Sequence, residues 1–283
     1  MTLPEALRPV LAWAGMLVVV LAGLWLGVRA AEPRLAFFPF RGEDVTPQRF
    51  GIRFEALDVR TADGETLRAW WLPHEAARAQ VVYFHGNGGN LALWSPVLAG
   101  LHRRGFSVLA VDYRGYGLST GRPSERGLYR DVDAALTLLD EARRDPRVPL
   151  VYWGRSLGTA VAAYAAARRA PDGVLLEAGF PDARALLRHM PVLWALSWFS
   201  SYRFPTARWM RDVRVPTLVI HGTEDTIVPF EVGEQLFAQL AGPKRFHAVP
   251  GGDHNDIAPR RPDEYWGAVD AFIAGLPQAV SDR

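Results

Sequence analysis

The sequence predicts an α/β fold: a mostly parallel central sheet with helices on both faces, preceded by one N-terminal transmembrane helix. Three observations predict it. A hairpin signal near residue 60 is followed by strand-like and helix-like stretches that alternate to the end of the chain, the pattern of a parallel sheet wrapped by helices. Residues Pro9 to Val28 carry no charge. The composition, 49% hydrophobic and 22% charged over 283 residues, supplies a sizeable core and argues against disorder, a collagen-like repeat or a coiled coil.

The uncharged run lies between Arg8 and Arg29. As a helix it spans about 30 Å, the thickness of a bilayer core. A buried soluble helix is rarely apolar on every face for such a length. Trp13 and Trp25 fall toward its ends, where amphipathic rings suit the membrane interface. Val28, Arg29 and Ala30 offer a small-residue cleavage site before Ala31, yet the run exceeds the roughly 7–15 residues of a signal-peptide core. Residues 1–30 therefore read as an uncleaved anchor. Gly23 and Gly27 form a small-xxx-small pair that would support a weak homodimer. A Lys/Arg count keeps the trailing side in the cytoplasm, with Arg29, Arg34, Arg41 and Arg49, whereas a signal-anchor reading exports it. The side stays open, with the extracytoplasmic one slightly favoured.

Residues 31–50 read as a connector, with Phe37, Phe38 and Phe40 around Pro39, set against the membrane or the body of the protein. The α/β domain is expected over 51–283. Arg53–Arg60 and Glu65–Leu72 flank Ala62-Asp63-Gly64, a hairpin. The following apolar runs read as strands at Gln80–Phe84, Phe106–Asp112, Leu150–Trp153, Gly173–Glu177, Pro216–His221 and Arg245–Val249. Helical spacing predicts helices at Asn90–Arg104, Glu125–Arg144, Leu157–Arg169, Glu231–Leu240 and Asp263–Leu276. Pro181–Arg211 breaks this rhythm and carries Leu186, Leu187, Met190, Leu193, Trp194, Trp198, Phe199 and Trp209. It reads either as a short helical cap over a site at the sheet edge, or as two helices packed on the core.

The chain has no cysteine, which excludes disulfides, thiolate metal sites and a cysteine nucleophile. Its net charge is +2, and both signs are spread along the chain, without the basic clusters of a nucleic-acid surface. The basic residues are Arg apart from Lys244.

Gly154-Arg155-Ser156-Leu157-Gly158 stands between a predicted strand and an Ala-rich predicted helix. That is the setting of a nucleophile elbow, which lifts a serine out of the sheet to a helix N-terminus. Glycines at 154 and 158 suit a turn that side chains would crowd. A serine hydroxyl needs a base to take its proton. Of the seven histidines, His254 alone lies in a glycine-rich loop after the last strand, Gly251-Gly252-Asp253-His254-Asn255. His85 and His221 precede glycines at strand ends and read as structural, and His247 lies within a strand. An acid must orient the imidazole. Asp225, in His221-Gly222-Thr223-Glu224-Asp225, is the best candidate, ahead of its neighbour Glu224 and of Glu177. An oxyanion hole needs two backbone N–H groups. Leu157 would give one and Asn87, in His85-Gly86-Asn87-Gly88-Gly89-Asn90, the other. That loop lacks the Gly-Lys-Ser/Thr ending of a phosphate-binding loop.

These stretches, with Asp112-Tyr113-Arg114-Gly115-Tyr116-Gly117 and Gly252-Asp253-His254-Asn255-Asp256, resemble the α/β-hydrolases of the Bem46-like group, related to ABHD-type proteins and to serine aminopeptidase S33-type domains. The resemblance covers about 50–275. It implies an α/β-hydrolase fold and serine-dependent cleavage of a carboxylic ester or thioester without a cofactor or metal, on an acyl or lipid-like substrate, with catalytic Ser156, Asp225 and His254. One fold serves many substrates, so the substrate transfers poorly. Depalmitoylating relatives bear a cysteine-rich N-terminus that this chain lacks. Two rivals remain: an aminopeptidase, disfavoured by a cap poor in acids, and a catalytically silent membrane-anchored binding protein, disfavoured by the complete set of catalytic residue types. Arg114 and Tyr116 read as turn-fixing more readily than as substrate-holding.

Overall fold

The computed structural model describes residues 7–140 and 146–277. The chain leads with helix α1 (Leu7–Ala36), whose stretch Arg8–Ala36 is long and apolar enough to cross a membrane and whose apolar window is exposed throughout. The helix runs past the expected end of the anchor, into residues read as connector. It continues through Pro33, which cannot donate the internal hydrogen bond at that position. Its C-terminal turn is held from outside. Glu32 is buried and accepts from Ser200 Oγ and Ser201 N, each at 2.8 Å, and lies 3.3 Å from Arg29 Nε.

The expected hairpin forms as β2 (Glu55–Arg60) and β3 (Thr66–Leu72), with Gly64 at φ +91 in the turn. Five further strands follow the predicted positions closely: β4 (Ala79–Phe84), β6 (Phe106–Val111), β7 (Leu150–Arg155), β8 (Gly173–Glu177) and β9 (Thr217–Gly222). β10 (Lys244–Val249) closes the series. The eight lie in one sheet in the order β10-β9-β8-β7-β4-β6-β3-β2. β3 is antiparallel to both its neighbours, and every other pairing is parallel. The inner strands β4, β6 and β7 are buried at every position, so they read as mainly apolar runs, broken only by Gln80, Ser107 and Arg155 near their ends. The sequence reading missed one pair, β1 (Phe38–Pro39) beside β5 (Gly88–Gly89), which pins the connector to the glycine loop. Two residues a side are too few to show a period.

Helices cover both faces, and each face has its own hydrophobic cluster. α2 (Leu91–Arg103) starts where Asn90 accepts from Leu93 N at 3.1 Å, and α3 (Glu125–Leu138) where Ser124 accepts from Gly127 N at 3.1 Å. These side chains satisfy amide groups that a helix start leaves open. The expected extension of α3 to Arg144 falls partly on 141–144, outside the described residues. α4 (Leu157–Arg168) is Ala-rich because it lies against the sheet, buried along most of its length.

The insert at 181–211 divides between its two readings. α5 (Ala183–Leu187) and α6 (Pro191–Leu196) bury no residue completely and overhang the site as a cap. α7 (Thr206–Met210) buries Ala207 and Met210, and Trp209 stands edge-on to Tyr129 and Tyr164, which is core packing. α8 (Phe230–Gln239), the short α9 (Ile257–Arg260) and α10 (Pro262–Ala274) complete the layers.

Candidate active site

Each sequence-predicted site residue lies just past the C-terminal end of a parallel strand: Asn87 after β4, Ser156 after β7, Asp225 after β9 and His254 after β10. This edge is where open α/β sheets bind ligands.

Ser156 has φ 52 and ψ −119, one of three non-glycine residues with positive φ among those described. Its N–H donates to the Glu177 carbonyl at 2.8 Å, which holds the elbow to β8. The two glycines of the motif are there for space. A Cβ at Gly154 would stand 2.2 Å from the Gly158 carbonyl oxygen, and one at Gly158 would stand 2.0 Å from that of Phe84. The close approach of α4 to β7 thus requires Gly154, and its approach to β4 requires Gly158. Leu157 begins α4, so its N–H is among those a helix leaves without an internal acceptor.

Asp225 is buried and both its carboxylate oxygens are engaged. Oδ1 accepts from Ile227 N at 2.9 Å and Val228 N at 2.7 Å, and Oδ2 lies 2.8 Å from His254 Nδ1. His221 Nε2 stands 3.4 Å from the same oxygen and 2.8 Å from the Val228 carbonyl. A carbonyl only accepts, so that nitrogen carries a proton. Burial pushes the Asp225 carboxyl up, but the bonds from His221 and His254 outweigh it and hold it well below the usual carboxylate range. The alternatives are placed elsewhere. Glu224 is exposed. Glu177 accepts from Tyr265 Oη at 2.8 Å and lies 3.5 Å from Arg155 Nε.

The loops bearing Asp225 and His254 are sewn together. Asp253 Oδ1 accepts from Thr226 N and Oγ1, each at 2.8 Å, and Glu224 N donates to the Gly252 carbonyl at 3.0 Å. Arg155 Nη2 donates to the His254 carbonyl at 2.7 Å, and its guanidinium lies over the Trp94 ring. The residue beside the serine therefore clamps the backbone of the histidine. The sequence reading assigned Arg155 no role. The available signal was a charged side chain at the end of an otherwise apolar strand. Arg155→Lys keeps a charge opposite Glu177 but has no second nitrogen for the carbonyl. Its expected effect is a kcat lower by about tenfold to hundredfold with KM unchanged, since a displacement near 1 Å costs about 100-fold. Steady-state kinetics beside a thermal melt separates this from loss of fold.

Asn87 is held from several sides. Its Nδ2 donates to the Ala36 carbonyl at 2.8 Å, its Oδ1 accepts from Tyr116 Oη at 3.0 Å, and the same hydroxyl reaches its backbone carbonyl at 2.9 Å. His85, read from sequence as structural, does more. Its Nδ1 lies 2.7 Å from the Gly86 carbonyl and so carries the proton. A trans peptide sets N–H opposite C=O, so this bond also fixes the direction of the Asn87 N–H. His85 Nε2 then faces Asp112 Oδ1 at 3.6 Å as an acceptor. Burial lowers the His85 ring to about 4 and raises the Asp112 carboxyl to about 8, so at neutral pH both are uncharged. A carboxyl that holds its proton more tightly when folded stabilises most below its unfolded value of 3.8, and that stability is lost as pH rises toward 8. Asp112→Asn is expected to flatten the fall in unfolding free energy between pH 4 and pH 8, measured by denaturant titration of both proteins. Parallel curves would contradict it.

Arg114 fixes its turn, whereas Tyr116 reaches across to the Asn87 loop. Arg114 Nε bonds Asp131 and Nη1 bonds Asp63, each at 2.8 Å. The guanidinium keeps the Asp63 carboxyl well below the usual range.

Ser156, Leu157 and Asn87 open onto a cavity of about 600 Å³. Ile227 and Val228, from the Asp225 loop, line it too, and the cap and α1 form its far walls. Among the lining residues Glu32 alone is charged, and its oxygens are already engaged by Arg29, Ser200 and Ser201. Among the described residues no group of three or more His, Asp or Glu is placed to hold a metal.

The serine aminopeptidase S33 family matches residues 75–212. An uncharacterized Mycobacterium tuberculosis protein, Rv2307c, is 35% identical over 246 residues, covering 85% of this chain and 86% of its own. Protein bem46 of Schizosaccharomyces pombe is 28% identical over 292 residues, covering 96% of both. This chain is a Bem46-like α/β-hydrolase. An uncharacterized membrane protein of Saccharomyces cerevisiae, YNL320W, is 32% identical over 235 residues, covering 81% of this chain and 82% of its own. Among solved structures, the Pyrococcus furiosus esterase Pf2001 superposes with a TM-score of 0.69 over 85% of this chain and 98% of its own, at 19% identity. That likeness shows the hydrolase fold, whose strand order and helical layers this member shares.

Proposed function

We propose that this Bem46-like hydrolase cleaves a carboxylic ester or thioester through Ser156, His254 and Asp225, by way of an acyl-enzyme. The observation that carries the reading is the 2.8 Å bond from His254 Nδ1 to a buried, ionised Asp225, together with a serine on a strained elbow that lines an apolar cavity bounded also by the Asp225 loop. His254 Nε2 takes the Ser156 proton as Oγ attacks the carbonyl carbon. Charge develops on the carbonyl oxygen, where the Leu157 and Asn87 N–H groups receive it. The tetrahedral adduct expels an alcohol or thiol, which takes the proton from His254. Water, activated by the same imidazole, then attacks the acyl-enzyme and releases the acid. Asp225 orients the imidazole and stabilises its charged form.

The apolar lining favours an acyl or lipid-like group. It disfavours the aminopeptidase reading, since the one lining carboxylate is already engaged and leaves no free acid for a substrate amine. α1 serves as the membrane anchor, in keeping with its length and hydropathy and with a yeast relative described as a membrane protein.

A fluorophosphonate probe tests the reading. We expect covalent labelling at Ser156 by peptide mapping, and turnover of 4-nitrophenyl butyrate well above that of aminoacyl 4-nitroanilides. A protein that neither labels nor turns over esters would be a silent member of the fold, and faster anilide cleavage would restore the peptidase.

A further inference from the structure

We propose that α1 is a wall of the substrate cavity as well as an anchor, and that it guides the acyl chain of a bilayer lipid ester from the membrane to Ser156. The inference rests on the serine-hydrolase reading and names the substrate class of that site.

The lining residues on α1 include Gly23, Leu24, Gly27, Val28, Ala31 and Leu35. Their spacing places them on one helical face. Four of them, Gly23 to Val28, belong to the uncharged run that reads as the membrane span. One end of the cavity therefore lies at bilayer depth. From Gly23 to Ala36 the helix rises about 20 Å. One leaflet of a hydrocarbon core of about 30 Å is about 15 Å deep, so the groove is long enough for one acyl chain. Small residues make the room: a Cβ at Gly23 or Gly27 would meet nothing within 4 Å.

The opposite wall is apolar as well, with Leu186, Leu187, Leu193 and Leu196 of the cap. The other end of the groove lies at the catalytic edge. The Ala36 carbonyl is bonded to Asn87, and Asn87 and Ser156 share the cavity. Ala36 stands about 12 Å along the helix beyond Val28, past a headgroup layer of about 5–8 Å, so the ester carbonyl reaches Ser156 by rising along the groove while the end of its chain stays at bilayer depth between Gly23 and Val28. The outer face of the cap fits the same placement. Val192 is 72% exposed and Trp198 59%, with Met190 and Trp194 beside them. An exposed apolar patch that carries tryptophans suits a membrane interface.

The experiment uses the full chain in vesicles of palmitoyl-oleoyl phosphatidylcholine. The probe is a fluorophosphonate whose long alkyl chain ends in a diazirine. After reaction at Ser156 and irradiation, the expected cross-link falls on the peptide containing Gly23 to Val28. Labelling at Ser156 with cross-links only outside α1, or onto α1 of a second copy, overturns the inference and leaves the hydrolase reading standing. No labelling at Ser156 overturns both. A second measurement compares kcat/KM for 4-nitrophenyl palmitate and 4-nitrophenyl acetate within each protein. Gly27→Leu, which fills the groove, is expected to lower that ratio at least tenfold, and an unchanged ratio overturns the proposal.

Discussion

Ser156→Ala is expected to lower kcat for a short ester by about three to six orders of magnitude and to abolish fluorophosphonate labelling, because a unit of nucleophile and base loses nearly all its effect when one member is removed. The substitution is a clean one. Ser156 already holds φ 52, and alanine carries the same Cβ, so the elbow keeps its strain and its 2.8 Å bond to the Glu177 carbonyl. The hydroxyl alone is lost. The Leu157 and Asn87 N–H groups remain in place, so the variant should keep a residual rate above that of water. The melting temperature should stay close to that of the parent. Wild-type turnover by the alanine variant, measured with 4-nitrophenyl butyrate, would remove Ser156 from the chemistry.

The second large effect concerns the fold. Gly158→Ala is expected to destabilise by about 3 kcal/mol, the upper end of the usual cost of overpacking, because the obstruction is backbone. The new Cβ would stand 2.0 Å from the Phe84 carbonyl oxygen and 2.8 Å from that of His85. Neither oxygen can swing away as a side chain would, so α4 must lift from β4. The same movement shifts Ser156 relative to the Asn87 loop, and activity should fall further than the lost stability explains. Gly267→Ala is the control of opposite sign. Gly267 lies in α10 with nothing within 4 Å of an added Cβ, and alanine there should stabilise by up to about 1 kcal/mol through helix propensity. Thermal unfolding of the two variants beside the parent checks both.

The sheet was legible because its inner strands are buried on both faces and so spell mainly apolar runs. The elbow was legible in two glycines spaced around a serine. Each of these signals is local, carried by residues within a turn or a strand of one another. The divided role of 181–211 was not legible. α6 and α7 each carry a tryptophan and other apolar residues, and the partner each meets distinguishes a lid from a core helix. The pair of β1 with β5 was hidden for a similar reason, since the partner that defines it lies far along the chain.

By itself the sequence determined the α/β class, the apolar helix at the start, and the strand ends that carry Ser156, Asp225 and His254. It could do so because burial period, turn chemistry and motif order are written along the chain. The tertiary structure alone decided that Arg155 grips the carbonyl of His254 across 99 positions. It also decided that His85 fixes the Gly86–Asn87 peptide and that α1 lines the cavity. Those features are meetings of side chains in space. They follow from how layers pack and leave no periodic trace in the residues that make them.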